Sequence, residues 1–487
     1  MFKDLIFVDG TSKYVQIADH ITKLIEDGML IEGTKLPSSR ELSSILGVGR
    51  NTIVEAYGIL EEKEFVETLK GKGTFVLGNK IKMKSNWHID WNTKTNRYAK
   101  IAEQLDIVKS EDKWKHGMIS FKSISPPGEL FDMEEFKRAF LNRISIEEHK
   151  ILNYGYAIGY RPFLQYLNSY MIEKGACSKN KDIIVTNGFT EGLDMLLSAF
   201  TKPGDYILCE NPTHNTALKI MKTHELNIIG VDMMEDGLDI DDLEKKIKDR
   251  NIKFAYLIPS YHNPTGVVMS ISKRNKAYNI LRENNIPIIE DGFNEELIYE
   301  SSHAIPLTTI DGENNGVIYL GSYSKILFPG LRIGWIYGDK RAIEILESVK
   351  RCRNIHTSFL DQGILYEFLK SGAFEKYIKK VRRVYKEKYE FTKECIEKNI
   401  KEAEIWGEGG LHMFLKIKGI DTRQLLRVCY EKGVIFMPGD VFYINREENS
   451  TLRLGFTRLS YEEIEKGIEI IKEALETIKK QQNCGKM

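Results

Sequence analysis

Cysteine is scarce, net charge is nil and long apolar runs are missing; each shortage removes a class of protein. The 487 residues hold six cysteines, Cys177, Cys209, Cys352, Cys395, Cys429 and Cys484. None forms a C-x-x-C pair or stands beside a histidine cluster, so neither a disulfide framework nor a metal site is expected and a reducing compartment fits best. Lysine plus arginine equal aspartate plus glutamate at 70 each. No overall field therefore draws the chain to nucleic acid or membrane, and any such binding must come from local placement. No segment approaches the apolar length a bilayer demands. The start, Met1-Phe-Lys-Asp-Leu-Ile-Phe-Val-Asp9, is too short and too acidic for a signal peptide. A cytoplasmic protein without a membrane partner is expected. Solenoid-period repeats and low-complexity tracts are also missing.

What is present suggests two or more domains, because a chain of this length exceeds what one core organises. Tyr14, Ile17, Ile21, Leu24 and Ile25 recur at helical spacing and predict an amphipathic helix over 13–29. Leu36-Pro-Ser-Ser-Arg-Glu-Leu42 opens a second helix, and Gly49-Arg-Asn-Thr52 opens a third after a Gly47-Val48 turn. Two short helices joined this way form a helix-turn-helix, whose second helix can enter a major groove with its N-terminal residues foremost. The stretches 65–69 and 73–77 alternate like strands around Lys70-Gly-Lys-Gly73, a hairpin whose tip lysines can meet phosphates.

These motifs, with Gly71-Lys-Gly-Thr-Phe75, resemble the winged-helix domain of GntR-type transcription regulators. The resemblance implies a double-stranded DNA operator as partner, with Ser38, Arg40, Arg50, Asn51, Thr52 and Lys72 at the DNA. Arg50 can fork onto a guanine edge or a phosphate, and Asn51 onto an adenine. Acids slightly outnumber bases over residues 1–80, and a helical protein-interaction module is the plainer alternative. Residues 80–117 read as a partly ordered tether: polar overall, yet with Trp87, Trp91 and Trp114 and a weak helical period over 98–108 that suggest docking.

Beyond residue 118, apolar runs at 183–186, 206–210, 228–231, 254–258, 287–290, 317–320 and 332–337 alternate with helical patterns such as 191–200 and 238–248. Alternation of this kind indicates an α/β sheet, and ligands gather at the strand ends of such sheets. Gly321-Ser-Tyr-Ser-Lys-Ile-Leu-Phe-Pro-Gly-Leu-Arg332 sets a lysine between hydroxyls and an arginine. Lys325 can form an imine with an aldehyde, Ser322 can donate to a phosphate and Arg332 can grip that phosphate; the plain alternative is a solvated loop. Thr186-Asn-Gly-Phe-Thr-Glu-Gly192 follows a strand and opens a helix able to cradle a phosphate. Asp291 ends a strand where its carboxylate can accept a pyridine N–H or cap the next helix. Pro264 in Tyr261-His-Asn-Pro-Thr-Gly266 restrains Asn263 so that its amide can reach a ring hydroxyl.

Together these stretches resemble fold-type I aminotransferases over roughly 118–480, a mostly parallel sheet with flanking helices. The resemblance implies pyridoxal 5'-phosphate as cofactor, Lys325 as Schiff-base lysine, Asp291 at the pyridinium nitrogen, Asn263 at the phenolic oxygen, and Gly188, Ser322 and Arg332 at the phosphate. Tyr154, in Tyr154-Gly-Tyr-Ala-Ile-Gly-Tyr160, would reach the phosphate of the other subunit of a homodimer. Arg453, in Leu452-Arg-Leu-Gly-Phe456, would pair with an amino acid carboxylate; the alternative is a surface strand charge. Three residues depart from the family pattern. Phe293 stands where a tyrosine usually donates to the phenolic oxygen, His214 where an aromatic ring stacks on the cofactor, and Phe189 where the phosphate cup has a small polar residue.

A winged helix (1–79), a linker (80–117) and an aminotransferase-like domain (118–487) form the architecture of the MocR group of regulators, which the sequence resembles over nearly its whole length. The implied function is a transcription regulator that senses an amine or amino acid through aldimine exchange at Lys325. A working aminotransferase with an accessory DNA-binding domain is the second reading; Phe293 and His214 weigh against it. A cofactor-free dimerisation scaffold is the third, and it needs none of these polar groups.

Overall fold

The computed structural model describes residues 1–77, 89–110, 113–292, 295–297, 299 and 305–484. Trp87 and Phe293 lie outside them. The chain divides into two compact units, Met1–Lys94 and Thr95–Met487.

In the first unit the helix Lys13–Glu26 buries Ile17, Ala18, Ile21, Leu24 and Ile25, one stripe of an amphipathic surface. The helix Ser39–Leu46 starts on a reciprocal cap. Ser38 Oγ accepts from the Glu41 amide at 3.3 Å, and Glu41 Oε2 accepts from the Ser38 amide at 2.8 Å. Gly47, at φ +65°, ends that helix in the left-handed conformation that glycine adopts without strain. The helix Arg50–Glu62 follows and buries Ile53, Ala56, Tyr57 and Leu60. The Tyr57 hydroxyl donates to the Pro37 carbonyl at 2.6 Å, fixing the third helix against the entry to the second. Val66–Leu69 and Gly73–Val76 form the antiparallel wing.

The second unit is built on an eight-stranded sheet. Its spatial order is Lys181–Thr186, Gly334–Asp339, Val317–Ser322, Ile288–Asp291, Ile252–Leu257, Tyr206–Asn211, Asn227–Met234 and Gly237–Leu238. The strands run parallel except Gly334–Asp339 and the short edge Gly237–Leu238. Helices cover both faces, so the central strands are buried on both sides and read as continuous apolar runs. A four-stranded antiparallel sheet, Ala403–Trp406, His412–Ile417, Thr451–Gly455 and Met437–Pro438, packs with the helices Ala373–Asn399, Thr422–Glu431 and Tyr461–Cys484.

Register sets the site. Ser322 pairs with Gly334, Gly334 with Thr186, and Leu320 with Asp291. The loops after these strand ends therefore open on one edge. The expected strand at 332 begins at Gly334, because Arg332 itself is left-handed at φ +54°.

The stretch read as a tether divides in the structure. From Thr95 onward it folds with the large unit. The helix Arg97–Gln104 packs on the helix Asn215–Thr223, and Arg97 Nε lies 2.8 Å from Glu225 Oε2.

Candidate ligand site and candidate nucleic-acid interface

At the C-terminal ends of the central strands a cavity of about 260 Å³ is lined by Phe189, His214, Asp291, Ser322, Lys325 and Arg332, with Ser125, Thr190, Thr216 and Ser324 also on its wall. Residues far apart in sequence, from Ser125 to Arg332, thus share one space. The helix Gly188–Phe200 begins here, its first amide groups and dipole favouring an anion. Gly188 has φ +79°, and a Cβ on it would sit 2.7 Å from Arg332 Nη2, so glycine is what lets the guanidinium approach the helix start. Arg332 Nη2 also donates to the Asn187 carbonyl at 3.4 Å. Ser322 Oγ lies 2.7 Å from Ser324 Oγ and accepts from the Ser324 amide at 3.2 Å. The two hydroxyls and the guanidinium make a phosphate-sized donor group.

Lys325 follows directly. Burial, then the Arg453 and Arg332 cations, push its amine down to about 8. A merely solvated loop would leave that amine near the ordinary lysine value. Across the cleft Asp291 Oδ2 accepts from the Tyr256 hydroxyl at 2.5 Å. Burial raises the Asp291 carboxyl to about 7; the Tyr256 hydrogen bond works against that rise, and Glu295 adds to it. Its carboxylate, engaged by Tyr256, lines the cavity.

Asn263 Oδ1 accepts from Arg453 Nη1 at 2.8 Å, while its Nδ2 is buried without a hydrogen-bond partner among the described residues. Arg453 is 6 % exposed, so its reading as a surface strand charge falls. Its Nη2 donates to the Lys122 carbonyl at 3.4 Å, and its guanidinium carbon lies 4.9 Å from the Phe442 ring centre. The His214 ring lies 5.2 Å from that of Phe189, tilted by 43°. Burial, then the Lys325 and Arg453 cations, hold the imidazole down at about 3, so His214 is a neutral ring at physiological pH. Tyr154 stands apart from this cavity, 86 % exposed and edge-on to His356 at 6.1 Å.

The donor set fits a phosphorylated pyridine aldehyde. An amine of lowered basicity, a buried carboxylate, a buried amide donor lacking a partner and a hydroxyl–guanidinium cup correspond to its aldehyde, ring nitrogen, phenolic oxygen and phosphate. Sequence reasoning counted Ser324 among the hydroxyls beside the lysine without giving it a role. It missed Tyr256, which carries no signal, lying in an ordinary apolar strand.

In the first unit Arg40, Arg50 and Asn51 are exposed, Thr52 is partly buried, and Lys72 is exposed in the turn of the wing. Gly49 opens the third helix without a side-chain cap, which leaves its first amides able to meet a phosphate. Arg50 Nε donates to Ser39 Oγ at 3.2 Å, restricting the guanidinium to one side of the helix start. Ser38 is occupied as the cap of the second helix.

Among the described residues no helix is long and apolar enough to cross a membrane, and no group of three His, Cys, Asp or Glu side chains is placed to hold a metal ion.

The family model for aminotransferase class I and II matches residues 117–471, and that for bacterial regulatory proteins of the gntR family matches 13–76. The chain is 32% identical over 394 residues to aromatic-amino-acid aminotransferase 1 of Thermococcus litoralis, covering 79% of this chain and 92% of that one. It is 28% identical to the uncharacterized HTH-type transcriptional regulator YdfD of Bacillus subtilis, covering 94% and 95%. The crystal structure of the multiple substrate aminotransferase from Thermococcus profundus superposes with a TM-score of 0.77 at 28% identity, covering 81% of this chain and all of that one. The cleft, the fold and the two matches agree: the chain belongs to the aminotransferase class I and II family, whose cofactor is pyridoxal phosphate, and by its gntR-family segment it has the MocR-type architecture of HTH-type transcriptional regulators.

Proposed function

We propose that this regulator holds pyridoxal phosphate at Lys325, senses an amino acid or amine there, and passes the result to a winged unit bound to a DNA operator. The observation that carries the reading is Lys325 itself: an amine lowered to about 8, set in one cavity with Ser322, Ser324, Arg332 and Asp291. When bound, the cofactor supplies an aldehyde that exchanges amines and a ring that withdraws electrons. Lys325 supplies the resident amine, Asp291 the charge opposite the ring nitrogen, and Asn263 Nδ2 the donor for the phenolic oxygen. The helix start at Gly188, Ser322 and Arg332 hold the phosphate. Neutral His214, paired with Phe189, offers a flat face for the ring without adding charge. Arg453 takes the carboxylate of an incoming amino acid, giving up its bond to Asn263 in favour of a charged acceptor.

A homodimer in the cytoplasm completes the proposal. Leu141, Ile146, Leu152, Tyr154, Tyr156 and Ile355 are all more than half exposed, and so much exposed apolar surface suits burial against a second copy. Tyr154 would then reach the other subunit's phosphate.

The test is Lys325→Ala. The variant loses the visible absorbance of the cofactor and the adduct fixed by borohydride, while far-ultraviolet circular dichroism is unchanged. An adduct that persists on another lysine removes the assignment. The second reading, a working aminotransferase, is favoured by the joint presence of Asn263, Asp291, Lys325 and Arg453. Sustained keto acid release from amino acids would establish it, and spectral change without release would exclude it.

A further inference from the structure

We propose that Phe442 couples Arg453 to the tether, so that a carboxylate arriving at Arg453 draws its guanidinium off the Phe442 ring and loosens the seat of residues 97–107. The coupling rests on the reading of the cleft as a sensor site.

Phe442 stands where three parts of the large unit meet. Its ring is fully buried and carries the Arg453 guanidinium at 4.9 Å. Its carbonyl accepts from the Thr213 amide at 2.9 Å, one residue before His214 on the cavity wall. It packs in a small apolar cluster with Phe414, Met437 and Val441, and Ile107 of the tether joins that cluster as a partly buried member. The side chain beneath the candidate carboxylate-binding arginine therefore belongs to the cluster that seats the tether.

The tether has a second hold on the same cleft. Its helix Arg97–Gln104 lies on the helix Asn215–Thr223, which begins after His214 and whose Thr216 lines the cavity. The seat is shallow. No residue of the helix Arg97–Gln104 is buried; Ile101, Ala102, Leu105 and Ile107 are only partly covered. Beneath Leu105, Asp106 and Ile107 a cavity of about 250 Å³ remains against Lys219, Tyr443 and Arg446. A segment with little buried surface and space beneath it sits at the low end of local stability, where a small repacking shifts its population. Lys94, immediately before this segment, ends the unit that carries the winged helix.

Loss of the cation from one face removes a favourable contact of the Phe442 ring. Because the ring is closely packed, its adjustment must be taken up by neighbours; of those that border the free space, Val441, Tyr443 and Ile107, Ile107 is the one that belongs to the tether. A partner without a carboxylate leaves Arg453 where it is and does not produce this effect.

The experiment is hydrogen exchange of the full-length, cofactor-loaded protein over residues 97–107, with visible spectra on the same samples. The probes are the common L-amino acids and simple alkylamines. An amino acid that changes the spectrum should accelerate exchange in 97–107 several-fold, and an alkylamine that changes the spectrum should not. Ile107→Ala, outside the cavity that holds Lys325, should keep the spectral titration and exchange fast with or without the probe. Spectral change with amino acids but no change in 97–107, or equal acceleration by alkylamines, overturns the coupling while leaving the sensor reading intact. If no probe alters the spectrum, the sensor reading itself fails, and the coupling falls with it.

Discussion

On the proposed reading Lys325 is the resident amine, which reacts only when it is unprotonated, so its depressed pKa is a kinetic quantity as well as an electrostatic one. An ordinary lysine holds its proton until about pH 10.4, whereas burial and two cations bring this one to about 8. Loading of apoprotein with pyridoxal phosphate should therefore accelerate as pH rises through about 8 and then level. Because Arg453 is the larger of the two cationic contributions, Arg453→Gln should move that midpoint upward. Stopped-flow absorbance across the range checks it; a midpoint in the ordinary lysine range for the wild type would mean that the amine is solvated. Tyr256→Phe removes the hydrogen bond that holds Asp291 in its charged form, so the carboxyl rises further and meets the ring nitrogen less often as an anion. Cofactor affinity should therefore fall. Equal affinities of variant and wild type, by titration of apoprotein, would remove Tyr256 from the site. The contrast between these residues shows what sequence can reveal. Lys325, Ser322 and Arg332 share one short stretch and can be read together. Tyr256 and Asp291 are 35 positions apart and meet only because their strands pair in parallel, with Tyr256 opposite Ile289.

Among the elements, the third helix of the winged unit is the one a duplex would test. Arg50, at its start and restrained by Ser39, should cost about 1–3 kcal/mol when changed to alanine, with relaxed preference at the base it reads. Lys72→Ala, in the wing, should weaken all duplexes alike, since a phosphate contact carries no sequence. Titration of operator and random duplexes separates the two effects, and equal losses on both duplexes for both variants would contradict the division. This unit was legible because its signals are local: Gly47 and Gly49 punctuate the turn, and Leu36-Pro-Ser-Ser-Arg-Glu-Leu42 opens a helix. The helix Arg97–Gln104 showed only a weak period in sequence. Its seat was invisible, because the surface it covers is supplied by residues beyond 210.

At the scale of the molecule, the alternation of apolar runs and helical patterns identified an α/β sheet. It could not reveal the antiparallel strand Gly334–Asp339 inserted between Lys181–Thr186 and Val317–Ser322; that order is a consequence of tertiary pairing. Nor could it show that the tether joins the large unit at Thr95. On the proposed reading the two ligands are linked: an amino acid that shifts operator affinity by some factor must have its own affinity shifted by the same factor, typically about 1–3 kcal/mol. The most direct measurement is operator titration of cofactor-loaded protein with and without an amino acid that changes the visible spectrum, paired with the spectral titration with and without operator. The two shifts should be equal, and Arg453→Ala should shrink both while keeping cofactor colour and basal DNA affinity. An operator affinity that stays the same while the spectrum shows the site filled would contradict sensing at Lys325.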